Sequence, residues 1–153
     1  MNREDIIERF SNLNIGHSQG ERAPHKLLLL LLALAKYQQG ITNISFREVE
    51  KTLSPLLETY APPTKSKPAP QLPYWHLQTD EIWEVENAAE IPRQAKGFPT
   101  MQGLRASHGH LSESVIDCFN AEPALVEKIA VSLLFEHFPE SLHQDILGTV
   151  GLS

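Results

Sequence analysis

The sequence predicts a mostly helical α+β domain, in which a central apolar helix packs on a small antiparallel sheet in a winged-helix-like arrangement. Three observations lead to this class. Residues 27–35 are almost continuously apolar, the two ends of the chain show helical spacing, and short β-favouring stretches lie between them. The 153 residues, 41% of them hydrophobic, can build one core without a disulfide or a metal ion. We therefore predict a single domain over residues 1–153.

Apolar residues three and four apart predict the helices. Pro24 precedes the central helix, where the fixed φ of proline suits a first turn, and Gly40 follows the end of that helix. Pro55 is expected to kink or divide the helix that contains it. The predicted helices cover residues 3–13, 25–37, 47–57, 112–119, 123–138 and 141–150.

Aromatic and β-branched residues predict the strands. Residues 44–46 form a short extended stretch, and residues 74–77 and 82–85 are expected to pair as a hairpin around residues 78–81. Residues 91–110 have no clear periodicity and predict a long loop, of a kind that is usually functional or disordered.

The net charge of −6 is unevenly distributed. Residues 17–76 hold seven Lys/Arg and four Asp/Glu, a balance of +3, and the rest of the chain holds six and fifteen, a balance of −9. Neither residues 59–79 nor residues 91–112 contain an acidic residue. Because salt screens charges beyond about 8–10 Å, a basic patch on an acidic body can still bind a polyanion.

Three segments carry candidate chemistry, and all three are cationic. The first places Arg22, His25 and Lys26 at the start of the central helix, where free N–H groups and the helix dipole favour an anion. Positive side chains at the positive end of the helix dipole are electrostatically unfavourable, and such local conflicts tend to mark functional sites. We therefore interpret the start of this helix as a phosphate-binding site. The alternative is that these side chains are simply solvated.

The second segment is proline-rich and therefore stiff, so it would lose little entropy on binding DNA. The third lies between glycines, which allow close approach to a phosphate. Their candidate residues are Lys65, Lys67, Gln71, Leu72, Pro73 and Tyr74 in the second, and Arg105, Ser107 and His108 in the third.

Enzymatic chemistry finds little support. The sequence contains no G-x-S-x-G, P-loop, H-E-x-x-H or C-x-x-C motif, and His108 and His110 lack further ligands at metal-binding spacing. We interpret the acidic residues between 80 and 90 as solvated charge, and we expect no metal, cofactor or catalytic residue. Without a signal peptide or a membrane-length apolar run, the protein is expected to be cytoplasmic and to have no membrane partner.

With these segments in view, the chain resembles the sulfur-binding domain of the HNH restriction endonucleases that recognise phosphorothioate DNA. The order and spacing of several stretches carry the resemblance, and together they span most of residues 20–112. They are R-A-P-H-K-L-L-L-L-L-L-A-L (22–34), I-S-F-R-E-V-E-K-T-L-S-P-L-L (44–57), L-P-Y-W-H-L (72–77), I-W-E-V (82–85) and G-L-R-A-S-H-G-H-L (103–111).

The resemblance implies a role for each candidate. Pro73 would be the proline wall of an apolar cavity for the sulfur, and His25 and Lys26 would flank the modified linkage. Some members have an aromatic residue in place of Leu72 and an arginine in place of Lys26. Near the cavity would lie Leu72, Tyr74 and His76, Arg105 would approach from the third segment, and Arg22, Lys65, Lys67, Gln71, Ser107 and His108 would contact backbone or base edges.

The predicted function is therefore non-catalytic binding of double-stranded DNA that carries a phosphorothioate linkage. Because the chain ends at Ser153 without room for an HNH domain, we expect a stand-alone reader, or a fragment, that acts alone or with a separate nuclease or effector protein. Two alternatives stay open: a winged-helix-type DNA-binding regulator indifferent to sulfur, and a protein-interaction module that docks a partner on its acidic C-terminal helices. An enzyme of novel type is the least favoured.

Overall fold

The computed structural model describes residues 2–13, 17–18, 21–22, 25–60 and 69–152, with backbone alone for 17–18 and 21–22. Helices account for most of these residues. The helices are α1 (Arg3–Ser11), α2 (His25–Gln38), α3 (Phe46–Tyr60), α4 (Gln71–His76), α5 (Met101–Arg105), α6 (Glu113–Ala121), α7 (Ala124–His137) and α8 (His143–Val150).

Short antiparallel strands complete the fold. Strands β1 (His17–Ser18) and β2 (Glu21–Arg22) pair with each other. Strands β3 (Ile44–Ser45), β4 (Trp83–Val85) and β5 (His108–Leu111) form a separate sheet in the order β3-β5-β4. The predicted α+β class, mostly helical with a small antiparallel sheet, is confirmed.

Helix α2 is the centre of the core. Its residues 27–35 are all buried, as expected for a helix that is apolar on every side. Helices α3, α4, α7 and α8 pack around it. Pro55 does not divide α3, which runs unbroken from Phe46 to Tyr60.

Two predictions about the middle of the chain are wrong. Residues 74–77 are not a strand, because α4 and a 3₁₀ turn (Leu77–Asp80) occupy residues 71–80. Strand β4 pairs instead with β5, which lies with α5 in the segment predicted as a long loop. The aromatic residues of 74–77 suggested a strand, but Pro73 stands in a first helical turn, where its missing N–H costs nothing.

The described residues contain neither a helix long and apolar enough to cross a bilayer nor a group of three metal-binding side chains.

Candidate nucleic-acid interface

The N-terminus of α2 presents His25 and Lys26, as predicted, but Lys26 already has an anionic partner. Its Nζ donates a hydrogen bond to Oδ2 of Asp80, 2.7 Å away, and the two side chains are only 13% and 4% exposed. Asp80 ends the 3₁₀ turn after α4. The ion pair therefore joins the start of α2 to the segment around α4. The interpretation of Asp80 as solvated charge is wrong.

His25 is partly buried, and burial lowers the pKa of its imidazole from the usual 6.5. The neutral ring is thus the main form at neutral pH. Together with the paired Lys26, it gives the start of α2 less positive charge than the sequence suggests.

The lowered pKa of His25 predicts a loss of stability in acid. Below about pH 6.5 the unfolded chain binds more protons at this site than the folded chain, so the free energy of unfolding falls as the pH falls. We expect His25→Gln to lose less stability than the wild type between about pH 7.5 and about pH 5.5. Urea unfolding at several pH values measures this difference, and parallel curves for the two proteins would contradict it.

The residues predicted to form the cavity lie on both the buried and the exposed sides of helix α4. Pro73 and Tyr74 are buried, whereas Leu72 is 46% exposed and His76 is exposed. Leu72 and His76 are four residues apart and so lie on one face of the helix. Gln71 is partly buried at its first turn. This face of α4 offers a ligand the apolar side chain of Leu72 beside the imidazole of His76.

Tyr74 and Ser107 bond to each other inside the protein. The Ser107 hydroxyl donates to the carbonyl of Leu104 at 2.6 Å and lies 2.8 Å from the Tyr74 hydroxyl, so Tyr74 donates to Ser107. Burial raises the pKa of Tyr74 to about 12. Both hydroxyls are therefore engaged in hydrogen bonds inside the protein. The bond between them ties α4 to the turn between α5 and β5, which brings the second and third predicted segments together.

Trp83 fixes α4 against the sheet. Its indole Nε1 donates to the carbonyl of Tyr74 at 3.0 Å, and the ring is buried. A Cβ atom added to Gly109 would lie 2.5 Å from Cζ2 of Trp83, so only glycine fits beneath the indole.

Arg105 forms a two-pronged ion pair on the surface. Its Nε and Nη2 donate to the two carboxylate oxygens of Glu50 at 3.2 and 3.0 Å. Both side chains are partly exposed, so a phosphate can compete for the guanidinium at modest cost.

His108 and Ser107 border an open groove of about 560 Å³. Glu86 and Glu90 also line this groove, and their carboxylates oppose a phosphate there. Of the third segment, Arg105 is thus in a more favourable position than His108 for binding an anion.

Three predicted residues have no described side chain. The backbone of Arg22 pairs with that of His17, but the Arg22 side chain is not among the described parts of the structure. Lys65 and Lys67 lie outside the described residues.

Sequence reasoning missed the partners that hold these groups: Asp80, Glu50 and Trp83. Asp80 lies 54 residues from Lys26 along the chain, and Glu50 lies 55 residues from Arg105. Sequence spacing gives no signal for pairs this distant. The sequence did offer one hint, because Trp83 stands in the I-W-E-V stretch that the resemblance included.

Comparisons with known proteins give consistent results. A family model described as ScoMcrA-like, DNA sulfur-binding domain, matches residues 3–153. No curated protein matches the sequence. Several solved structures share the fold.

The first is the sulfur binding domain of ScoMcrA complexed with phosphorothioated DNA, with a TM-score of 0.80, 23% identity and coverage of 95% of this chain and 94% of that one. The sulfur binding domain of SprMcrA, also complexed with phosphorothioated DNA, has a TM-score of 0.73, 19% identity and coverage of 97% and 93%. The Type IV phosphorothioation-dependent restriction endonuclease ScoMcrA has a TM-score of 0.77 and 23% identity, and the match covers 95% of this chain but 32% of that one.

Proposed function

The chain belongs to the ScoMcrA-like DNA sulfur-binding domain family, and on this premise we propose that it is a non-catalytic reader of double-stranded DNA carrying a phosphorothioate linkage. The family membership confirms the resemblance seen in the sequence. The observation that carries the proposal is the junction of α2 with α4, where exposed Leu72 and buried Pro73 share a short helix that packs against the α2 bearing His25 and Lys26.

Because the junction carries little charge, apolar contact rather than ionic attraction has to distinguish the two linkages, each of which carries one negative charge. Lys26 is neutralised by Asp80, and burial favours the neutral form of His25, so the junction attracts an ordinary phosphate less than two unpaired cations would. A non-bridging sulfur is larger and less hydrated than oxygen. Its contact with the apolar side chains of α4 therefore contributes more than the same contact of oxygen.

The expected discrimination follows from burial. Hiding a few tens of Å² of sulfur contributes about 1 kcal/mol. Burying the better-hydrated oxygen without a hydrogen bond adds a penalty of about 1–3 kcal/mol. Together these terms give roughly a 30- to 1,000-fold preference for the modified linkage.

The remaining site residues stay predictions with distinct roles. Arg105 would meet the backbone by exchanging Glu50 for a phosphate. Tyr74 and Ser107 would act from inside, by holding α4 against the α5–β5 turn. Contacts to backbone or base edges remain predicted for Arg22, Lys65, Lys67, Gln71 and His108, and a separate nuclease or effector protein remains the predicted second partner.

The experiment is fluorescence polarisation with two short duplexes that differ only by sulfur or oxygen at one linkage, at one salt concentration. We expect the sulfur duplex to bind at least about tenfold tighter. Leu72→Ala should narrow that ratio, since it removes exposed apolar surface from α4. Pro73→Ala tests the proline wall that the family resemblance implies, and it should narrow the ratio as well. Phe135→Ala is the matched control, because this side chain is apolar and 63% exposed but lies on α7.

Each other outcome points to another function. Equal binding of the two duplexes would make the protein a DNA-binding regulator indifferent to sulfur. Binding of neither duplex would favour the protein-interaction module.

A further inference from the structure

Residues 92–100 form a tight hairpin outside the site described above. The backbone N–H of Thr100 donates to the carbonyl of Pro92 at 2.9 Å, and the backbone N–H of Gln94 donates to the carbonyl of Phe98 at 2.7 Å. The turn closes at Gly97, whose φ of +94° suits glycine. The 92–100 hairpin is therefore held in a defined conformation by its own backbone hydrogen bonds.

Aromatic contacts fix the 92–100 hairpin to α4. The ring of Phe98 lies 6.4 Å from that of Trp75 and 5.8 Å from that of His76, centroid to centroid. The guanidinium of Arg93 stacks over the Trp75 ring at 4.5 Å. The hairpin thus extends the surface of the helix that carries Leu72 and His76.

The exposed charge of the 92–100 hairpin is wholly positive. Arg93 and Lys96 are exposed, and residues 91–112 contain no acidic residue. Within the described part of the chain, no carboxylate forms an ion pair with either of them, whereas five other cations there are paired. Those five are Arg3, Arg9, Lys26, Lys36 and Arg105.

Arg93 keeps donors available for a ligand. One Nη2 hydrogen bond goes to the carbonyl of Ala88 at 2.9 Å, and a guanidinium has five N–H donors. Stacking on Trp75 sets the plane of the group without using the other donors. A guanidinium oriented in this way suits a phosphate.

We propose that the 92–100 hairpin is a second DNA-contact site, which binds phosphate groups of the duplex through Arg93 and Lys96. The proposal rests on the proposed function, and it assigns linkage discrimination and general DNA attraction to two different sites. The junction of α2 and α4 discriminates the linkage but has little net charge, and the hairpin supplies attraction that any DNA backbone satisfies.

The test measures the salt dependence of binding for the sulfur and oxygen duplexes with Lys96→Ala and Arg93→Gln. Each lost phosphate contact should reduce the slope of log K against log salt by about 0.9 and weaken binding about fivefold to tenfold near 0.1 M salt. Both duplexes should weaken by the same factor, so that the sulfur-to-oxygen ratio is unchanged. Lys96→Arg should keep the wild-type slope, since it keeps the charge.

Lys128→Ala provides the matched control. Lys128 is exposed on α7, in a stretch (113–153) that contains seven acidic residues and only this lysine. Its removal should leave the slope unchanged. Thermal unfolding of each variant checks that the fold is retained, as expected for exposed side chains.

The outcomes separate this proposal from the proposed function. Unchanged slopes in both hairpin variants would overturn the second site, even if the wild type prefers sulfur. A lowered sulfur-to-oxygen ratio would also overturn it, because the hairpin would then belong to the discriminating site. If the wild type binds both duplexes equally and the slopes still fall, the hairpin site stands and the proposed function fails. If the wild type binds neither duplex, both fail.

Discussion

Replacing Trp83 with alanine is expected to lower the free energy of unfolding by about 3–5 kcal/mol, as for other fully buried large aromatic residues. The change empties the space above Gly109 and removes the donor to the Tyr74 carbonyl. Because that bond holds α4 on the sheet, the sulfur-to-oxygen ratio should fall as well. Urea unfolding and the paired duplexes measure the two effects.

Gly109→Ala tests the same contact from the other side. Its new Cβ would lie 2.5 Å from the indole, so Trp83 must shift, and we expect a loss of about 1–3 kcal/mol. Phe135→Ala, at an exposed position where the ring makes an edge contact with His143, should change stability by less than about 1.5 kcal/mol. A loss below about 1 kcal/mol in Trp83→Ala would contradict this account of how α4 is held.

Asp80→Asn should also destabilise the protein strongly. It removes the carboxylate from a pair of which little is exposed, leaving the Lys26 ammonium without this counter-charge in a largely buried position. Breaking such a pair costs about 3–5 kcal/mol. The variant should also bind the oxygen duplex more tightly than the wild type does, since Asp80 no longer offsets the charge of Lys26.

A double-mutant cycle separates the ion pair from other effects of the change. Lys26→Gln with Asp80→Asn should recover a large part of the lost stability, because no buried charge is then left uncompensated. Glu50→Gln at the surface pair with Arg105 is the matched control, with an expected loss below about 1 kcal/mol. Equal losses in Asp80→Asn and Glu50→Gln would show that burial does not matter to the Lys26–Asp80 pair.

Long periodic segments were the most predictable part of the fold. Helix α2 was expected over residues 25–37 and spans His25–Gln38, and α7 was expected over 123–138 and spans Ala124–His137. Apolar residues at helical spacing recur over several turns in such segments, so local sequence specifies both the helix and its buried face.

The short elements were not predictable in the same way. Strand β5 reads His-Gly-His-Leu and has little β-propensity, yet it is central to its sheet because Gly109 leaves room for the indole of Trp83. Helix α4 is only six residues long and contains a proline. Contacts from distant segments determine both elements, and no local pattern encodes those contacts.

The same distinction between local patterns and long-range contacts applies to the candidate site. The sequence by itself determined the central helix, the acid-free segments at 59–79 and 91–112, and the motifs that place the chain in its family. Only the tertiary structure decided which cations are neutralised, which predicted contact residues lie inside, and that the hairpin bearing Arg93 and Lys96 packs on α4 through Arg93 and Phe98. The physical reason is range: helical periodicity acts over three or four residues, whereas the Lys26–Asp80 pair joins residues 54 apart, which only the folded chain brings within hydrogen-bond distance.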